Sequence, residues 1–409
     1  MARKKDDEQP EAKPEKPEKP EKASKAEKAT VDDRDEALSA YFKLAEKNYG
    51  KGAVQFAVDH GHENMPRITT GILPLDISLG GGLPVGRISM FYGPKSSSKT
   101  TCFLRALGRA QRMCSNCWTP AFSIWKVDTT GQKPRCKCGS YRKVNAAWLD
   151  VEGVWDEAWS RRFMDISRVV FSAPETGEQA CDIADSLLRS GNIDVIVIDS
   201  VAFMEPTAEI ERSSAEPTVG SQARLLGTMF RKLVSGTNAV SNRDGRRPTV
   251  WFTNQIRNKV GVMFGNPETV PGGYAQGFAT STETRMSPGK YQEDKETGVI
   301  ITAEMKFRNE KNKTGVAKME GEYKLQLSDT EIKKAGDVCD EEYAYKIAQQ
   351  CGLVIPGRGN APTKWNGMEF DARSLLERHW MINRDEYEEF KLKLIDHMRT
   401  PVIEHEAQL

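Results

Sequence analysis

The chain has 409 residues, 38% of them hydrophobic, which is enough for two or three domains with buried cores. Its 59 Lys and Arg are balanced by 58 Asp and Glu, so overall charge points to no nucleic-acid or membrane partner, and any DNA site has to be local. No apolar run reaches membrane-spanning length and the N-terminus lacks the apolar core of a signal peptide, which predicts a cytoplasmic protein with reduced cysteines and no membrane partner.

Residues 1–30 carry a Lys-Pro-Glu repeat and no aromatic or β-branched side chain before Thr30. That composition predicts a disordered, solvated tail, with a DNA-scanning or partner-binding arm as the functional alternative. Over 32–49, Ala37, Leu38, Tyr41, Phe42, Leu44 and Ala45 recur at helical spacing, glycines at 50 and 52 stop the helix, and 53–58 reads as a short strand. So small a helix-strand unit cannot bury its own apolar face, so it must dock on the main domain or on a neighbouring subunit.

Residues 71–87 lead into the apolar run 88–92, after which come Gly93, Pro94, Lys95, Ser96, Ser97, Ser98, Lys99, Thr100 and Thr101 and a helical pattern to about residue 113. A strand, a tight loop and a helix in succession turn backbone N–H groups and a helix dipole toward one point, where a triphosphate can sit. Lys99 would reach the β- and γ-phosphates and the Thr100 hydroxyl would hold Mg²⁺. Ser98 stands where the pattern G-x-x-x-x-G-K-[ST] has its second glycine. The alternative is a Ser-rich turn capping a helix.

Beyond the loop, strands at 146–149, 169–171, 193–198 and 249–253 alternate with helices at 177–190 and 219–238, which predicts an α/β fold with a mostly parallel sheet covered on both faces. Thr176 and Gln179 read as a helix capping box. Over 278–327 the pattern changes to polar-alternating strands, at 298–307 and 323–327, that would extend the sheet antiparallel. After Gly336 a small α/β domain is expected, with helices at 343–351, 372–379 and 385–398 and a Gly/Pro turn at 356–362.

Asp199 ends the strand 193–198, placing a carboxylate at the edge of the sheet beside the phosphate loop, where with Thr100 it would hold Mg²⁺; capping the next turn is the plainer role. Between the first helix and the strand 146–149 lies a segment, 114–144, with Cys114-x-x-Cys117 and, after eighteen residues, Cys136-x-Cys138. Four cysteines in two knuckles point to a ribbon-like structural Zn²⁺ site, with unliganded thiols or a disulfide pair as alternatives, the latter disfavoured in a cytosol. Cys102, Cys181, Cys339 and Cys351 are unclustered and expected in the core. Arg135, Lys137, Arg142 and Lys143 would let the ribbon touch DNA or a partner, or it simply stabilises a loop.

The run Gly93-Pro94-x-Ser96-Ser97-x-Lys99-Thr100-Thr101 resembles the phosphate loop of RecA-type recombinases, and Asp199-Ser200-Val201-Ala202 is similar to the family's second nucleotide motif. The resemblance implies a RecA-type P-loop ATPase core over 67–335, interrupted by the zinc-ribbon-like insertion, with an N-terminal polymerisation segment at 31–66 and a C-terminal domain at 336–409. It makes Glu152 the general base for water, Gln255 the γ-phosphate sensor, and Asp156 and Trp159 the adenine contacts, although Trp159 would equally serve core packing. Lys311 and Lys313 would reach across a subunit boundary to the neighbour's γ-phosphate. Ile256, Arg257, Lys259, Met263, Phe264, Gly272 and Gly273 fall in the second DNA loop, where Met263 and Phe264 would wedge between bases. The first DNA loop is 209–220, and Arg224 and Arg231 behind it, two helical turns apart, match phosphate-contacting arginines or are merely solvated.

The function implied is an ATP- and Mg²⁺-dependent recombinase that forms a homo-oligomeric filament on single-stranded DNA, pairs it with homologous double-stranded DNA and exchanges strands. Mediator and single-strand-binding proteins are candidate partners. Two alternatives stay open: a DNA filament protein that binds ATP but hydrolyses it weakly because of Ser98, and a zinc-bearing ring ATPase that processes recombination intermediates.

Overall fold

The computed structural model describes residues 31–49, 54, 65–119, 136, 138–139, 142–211, 220–258, 268–359 and 361–399. Outside them lie the expected tail over 1–30, all but Val54 of the strand expected at 53–58, residues 212–219 of the first DNA loop, and Lys259, Met263 and Phe264 of the second, together with Arg135 and Lys137 of the insertion. Two units result, 1–55 and 56–409. In the first, α1 (Val31–Tyr49) forms the expected helix and ends within the residue that precedes Gly50.

The second unit is built on nine strands: β1 (Ile88–Gly93), β2 (Ala146–Asp150), β3 (Val169–Ser172), β4 (Val195–Asp199), β5 (Thr249–Gln255), β6 (Thr282–Glu293), β7 (Ile300–Asn312), β8 (Glu320–Gln326) and β9 (Val338–Cys339). Their order across the sheet is β9-β8-β7-β6-β1-β5-β4-β2-β3. From β6 to β3 every neighbouring pair is parallel, and β6 to β9 add antiparallel strands on one side. The mixed sheet read from sequence is therefore present.

Continuous apolar runs such as that of β4 follow from burial on both faces, since successive side chains point to opposite sides. Val195 and Val197 enter one apolar cluster with Phe103, Leu104 and Leu107 of α2 (Lys99–Ala110). Ile196 and Ile198 enter the other, with Ala180, Ala184 and Leu188 of a helix at Gly177–Arg189 and Leu226, Met229, Phe230 and Leu233 of one at Ser221–Asp244. We label the short helix Glu157–Arg161 α3, the helix Gly177–Arg189 α4, the helix Ser221–Asp244 α5 and the helix Gly273–Ala279 α6.

Thr176 caps α4, its hydroxyl accepting from Gln179 N at 3.1 Å, a bond worth about 1 kcal/mol. The reciprocal half of the capping box differs from expectation: Gln179 Oε1 accepts from Glu175 N at 2.7 Å, one residue before the cap.

A third apolar cluster joins Leu73 to Tyr345, Trp365, Leu376, Trp380, Tyr387 and Phe390. These come from α7 (Glu341–Gln350), α8 (Arg373–Ile382), α9 (Arg384–Arg399) and a three-stranded sheet over 354–370. Polar ties reinforce it: Arg109 of α2 pairs with Glu388 of α9 at 2.8 Å, and Lys391 Nζ donates to Gly71 O at 3.0 Å. With Arg109 and Lys391 against it, Glu388 is held down to about 2 despite its burial, which by itself would raise it.

Candidate functional site

In a parallel sheet the carboxyl ends of the strands face one way, and loops leaving that edge converge. Here register aligns Gly93 with Gln255 and Asp150 with Asp199. Thr100, in the first turn of α2, donates from Oγ1 to Asp199 Oδ2 at 2.8 Å, so the two expected Mg²⁺ ligands meet. Hydroxyl and carboxylate oxygens suit a hard cation such as Mg²⁺. Thr253, the residue of β5 beside Asp199, donates its hydroxyl to the other carboxylate oxygen.

Glu152 is placed by backbone: the N–H groups of Val151 and Glu152 donate to Asp199 O at 2.8 and 3.2 Å. Asp150 then folds the following turn, accepting from the N–H groups of Gly153, Val154 and Trp155 at 2.9, 3.2 and 2.9 Å. Gln255 Nε2 donates to Glu152 Oε1 at 3.2 Å, bringing the expected base and sensor together. Burial raises the Glu152 and Asp199 carboxyls above their ordinary range, and the Asp199 charge adds to the effect on Glu152. Burial lowers Lys99 in turn, opposed by Asp199 and Glu152. A group that releases a proton more reluctantly than a free carboxylate is a better match to the work of a general base near neutral pH.

Lys99 lies over its own loop, Nζ donating to Gly93 O at 3.2 Å, Pro94 O at 2.7 Å and Ser97 Oγ at 3.2 Å. A phosphate oxygen is a stronger partner than these neutral acceptors. Gly93 is required by space, because a Cβ there would stand 2.0 Å from Met286 O. Ser97 is buried, with Oγ donating to Pro94 O at 2.8 Å, whereas Lys95 and Ser96 are exposed and Thr101 is half-buried. Ser98 takes φ 58° and ψ 20°, the left-handed conformation that costs a non-glycine residue about 1–2 kcal/mol.

The expected adenine contacts lie at the start of α3 and within it. Asp156 caps α3, Oδ1 accepting from Trp159 N at 2.9 Å, and the Trp159 ring meets Phe163 edge-on at 5.1 Å with the Arg162 guanidinium 5.7 Å away. The packing role left open for Trp159 matches these partners.

β5 continues from Gln255 through Ile256 into Arg257–Asn258, which pairs antiparallel with Glu268–Thr269 as the stem of the second expected DNA loop. Arg257 is anchored on Ala202 O at 3.1 Å. Asn254 closes the base, donating to Pro271 O at 2.9 Å and Gln276 Oε1 at 3.0 Å, and Gly272 begins α6 at φ 106° with exposed Gly273 next to it. Arg224 and Arg231 are both exposed on α5, Arg231 donating to Thr228 Oγ1 at 3.1 Å. Lys311 and Lys313 do not reach this chain's phosphate loop. Lys311 Nζ donates to Gly277 O and Lys313 Nζ to Phe278 O, both at the end of α6.

The four insertion thiols gather with all sulfurs within 4.8 Å of one another, Cys117 and Cys136 at 3.3 Å and Cys114 and Cys138 at 3.9 Å. Thiolates bound tetrahedrally at about 2.3 Å from Zn²⁺ stand about 3.8 Å apart, so the set fits that metal. Asn116 Nδ2 donates to Cys138 Sγ at 3.7 Å. Cys114 bridges to Lys143 and Ser115 N donates to Arg142 O at 2.8 Å, ahead of β2. The cluster thus sits by the amino ends of the parallel strands, one strand length, roughly 15 Å, from the edge holding Asp150 and Asp199.

Sequence reading missed Thr253, Asn254 and the turn-forming role of Asp150. Polar residues ending the apolar strands were a signal, since a buried polar group there needs a partner.

The family model of the RecA N-terminal domain matches residues 36–122 and 136–330, and the gap between the two stretches falls inside the cysteine-bearing insertion. Protein RecA of Lactobacillus delbrueckii subsp. bulgaricus is 35% identical over 356 residues, covering 87% of this chain and 95% of the relative. Protein RecA of Clostridium acetobutylicum is 36% identical over 323 residues, 78% and 82% of the two chains. Protein RecA of Acinetobacter baylyi is 36% identical over 331 residues, 80% and 84%.

Proposed function

Since the chain belongs to the RecA family, we propose that it is an ATP-dependent recombinase that polymerises on single-stranded DNA and exchanges strands with a homologous duplex in recombination and repair. The observation that carries this reading is the unbroken line from Thr100 through Asp199 and Glu152 to Gln255, whose strand runs directly into the stem of the Arg257 loop. A γ-phosphate near Gln255 would compete with Glu152 for its amide, and the change would pass along two residues of strand to the DNA loop.

In this reading residues 93–101 cradle the triphosphate with backbone N–H groups, and Lys99 exchanges its loop carbonyls for phosphate oxygens. Thr100 and Asp199 hold Mg²⁺, which neutralises phosphate charge when bound. Glu152 takes the proton of the attacking water, and its raised affinity for a proton suits that step. Asp156 and Trp159 flank the adenine base. Arg224, Arg231, Arg257 and the backbone at Gly272 and Gly273 meet DNA phosphates, with Lys259, Met263 and Phe264 contributing from the rest of the loop. Lys311 and Lys313 serve the neighbouring protomer's nucleotide, and residues 31–66 join protomers. The cysteine ribbon holds structural Zn²⁺, its distance from the phosphate edge excluding it from the hydrolytic step. No helix among the described residues is long and apolar enough to cross a membrane, and we place the protein in the cytoplasm.

ATP hydrolysis measured with and without single-stranded DNA, alongside electron microscopy, tests the proposal. DNA-stimulated turnover with helical filaments is expected. Tight ATP-dependent binding without turnover would instead mark a filament protein with an impaired phosphate loop, and closed rings would mark a remodelling ATPase.

A further inference from the structure

Ser98 occupies the N-cap of α2, where a serine ordinarily turns its oxygen onto the N–H groups of the first helical turn. It makes no such bond. Its hydroxyl points instead to β8, where Tyr323 Oη lies 2.6 Å away, and Cys102 Sγ, one helical turn along α2, closes the group at 3.2 Å from Tyr323 Oη and 4.0 Å from Ser98 Oγ. Tyr323 is 4% exposed and its ring belongs to the apolar cluster beneath α2.

The left-handed backbone at Ser98 therefore coincides with a specific bond from its side chain to a distant strand. A glycine would adopt that backbone without help. We propose that Tyr323 is a positioning residue of the phosphate loop: its hydroxyl holds Ser98 in the left-handed conformation, so that the loop keeps its nucleotide-binding shape without the second glycine. The inference rests on the phosphate-loop reading of 93–101. It also joins that loop to the lysine-bearing strand, because Tyr323 pairs with Met305 on β7, which carries Lys311 six residues further on and ends at Asn312.

The test is a mutant cycle read as equilibrium ATP affinity, with thermal unfolding recorded for each protein. Tyr323→Phe and Ser98→Ala each remove one hydroxyl of the pair. Each is expected to weaken ATP binding roughly fivefold, the factor belonging to one hydrogen bond, and the double variant no more than either alone. In a Ser98→Gly background, Tyr323→Phe is expected to cost less than twofold, because glycine needs no holding. This rescue separates positioning from a general loss of packing, which glycine at 98 would not repair. Should Tyr323→Phe fail to fold, Ser98→Ala still reports whether the hydroxyl pair matters. Unchanged affinity in Ser98→Ala, or an equal loss from Tyr323→Phe with Ser98 and with Gly at 98, would overturn the proposal while leaving ATP binding by the loop intact. Wild-type protein that binds no ATP would overturn the phosphate-loop reading and this inference together.

Discussion

Lys313 Nζ donates to the carbonyl oxygen of Phe278 at 2.9 Å, and Lys311 beside it donates to Gly277. Both ammonium groups cap the carboxyl end of α6, where a cation also meets the negative end of the helix dipole. Within its own chain the pair is spent on the helix that follows the second expected DNA loop. To reach a neighbour's nucleotide the lysines must leave α6, so nucleotide and loop would compete for the same two charges.

Mixing subunits tests that exchange. Glu152→Gln and Lys313→Ala proteins should each lack DNA-stimulated ATP hydrolysis. In an equal mixture, about one interface in four pairs an intact Glu152 with an intact Lys313 from the adjacent chain, so about a quarter of wild-type turnover is expected. No recovery in filaments shown to contain both proteins would confine the lysines to capping α6.

Lys99→Ala should abolish the ATP dependence of DNA binding. The fold should survive, since among the described residues the ammonium bonds only to atoms of its own loop. Binding of labelled single-stranded DNA with and without ATP, compared with the unfolding midpoint, is the measurement; an unchanged response to ATP would remove the assignment of 93–101.

Metal analysis of purified protein should give about one Zn per chain. Replacing Cys117 and Cys136 together by Ser should remove the metal and lower the unfolding midpoint. ATP hydrolysis per folded molecule should persist, because the thiols lie at the opposite edge of the sheet from Asp199. Metal-free, fully stable wild-type protein with four freely reactive thiols would eliminate the ribbon.

Stability should carry an acid-sensitive contribution from Glu388. Its carboxyl titrates at about 2 in the folded chain against an ordinary 4.5, held down by Arg109, Lys391 and Arg105. A lowered value stabilises the fold above the ordinary value, and the contribution fades as pH falls from about 4.5 toward 2. Glu388→Gln should therefore cost on the order of 3 kcal/mol at neutral pH, with the gap to wild type narrowing below pH 4.5 in denaturant titrations. A gap independent of pH would show that the glutamate acts through packing alone.

The parallel sheet, the phosphate loop and the four-cysteine segment were all readable from the chain because each is written in neighbouring residues. Apolar runs buried on both faces identify the central strands, and β4 alternates between two cores as its period of two requires. Cysteine spacing alone brought Cys114, Cys117, Cys136 and Cys138 into one proposal, and their sulfurs meet. The boundaries drifted by a few residues, as at α5, which begins at Ser221 and runs to Asp244, six residues past the expected end, where Val240 is buried and Arg243 donates to Arg189 O at the end of α4.

What tertiary structure decided is the partner of each polar group. Ser98 and Tyr323 are 225 residues apart in the chain, and no local periodicity announces that a tyrosine on an antiparallel strand meets the phosphate loop. Thr253 reaches Asp199 only because β5 lies beside β4, and Asn254 closes the base of the expected DNA loop only because α6 returns to the end of its strand. Local sequence carries backbone conformation and apolar periodicity, whereas a buried hydroxyl or amide takes whichever partner the packed strands bring within about 3 Å.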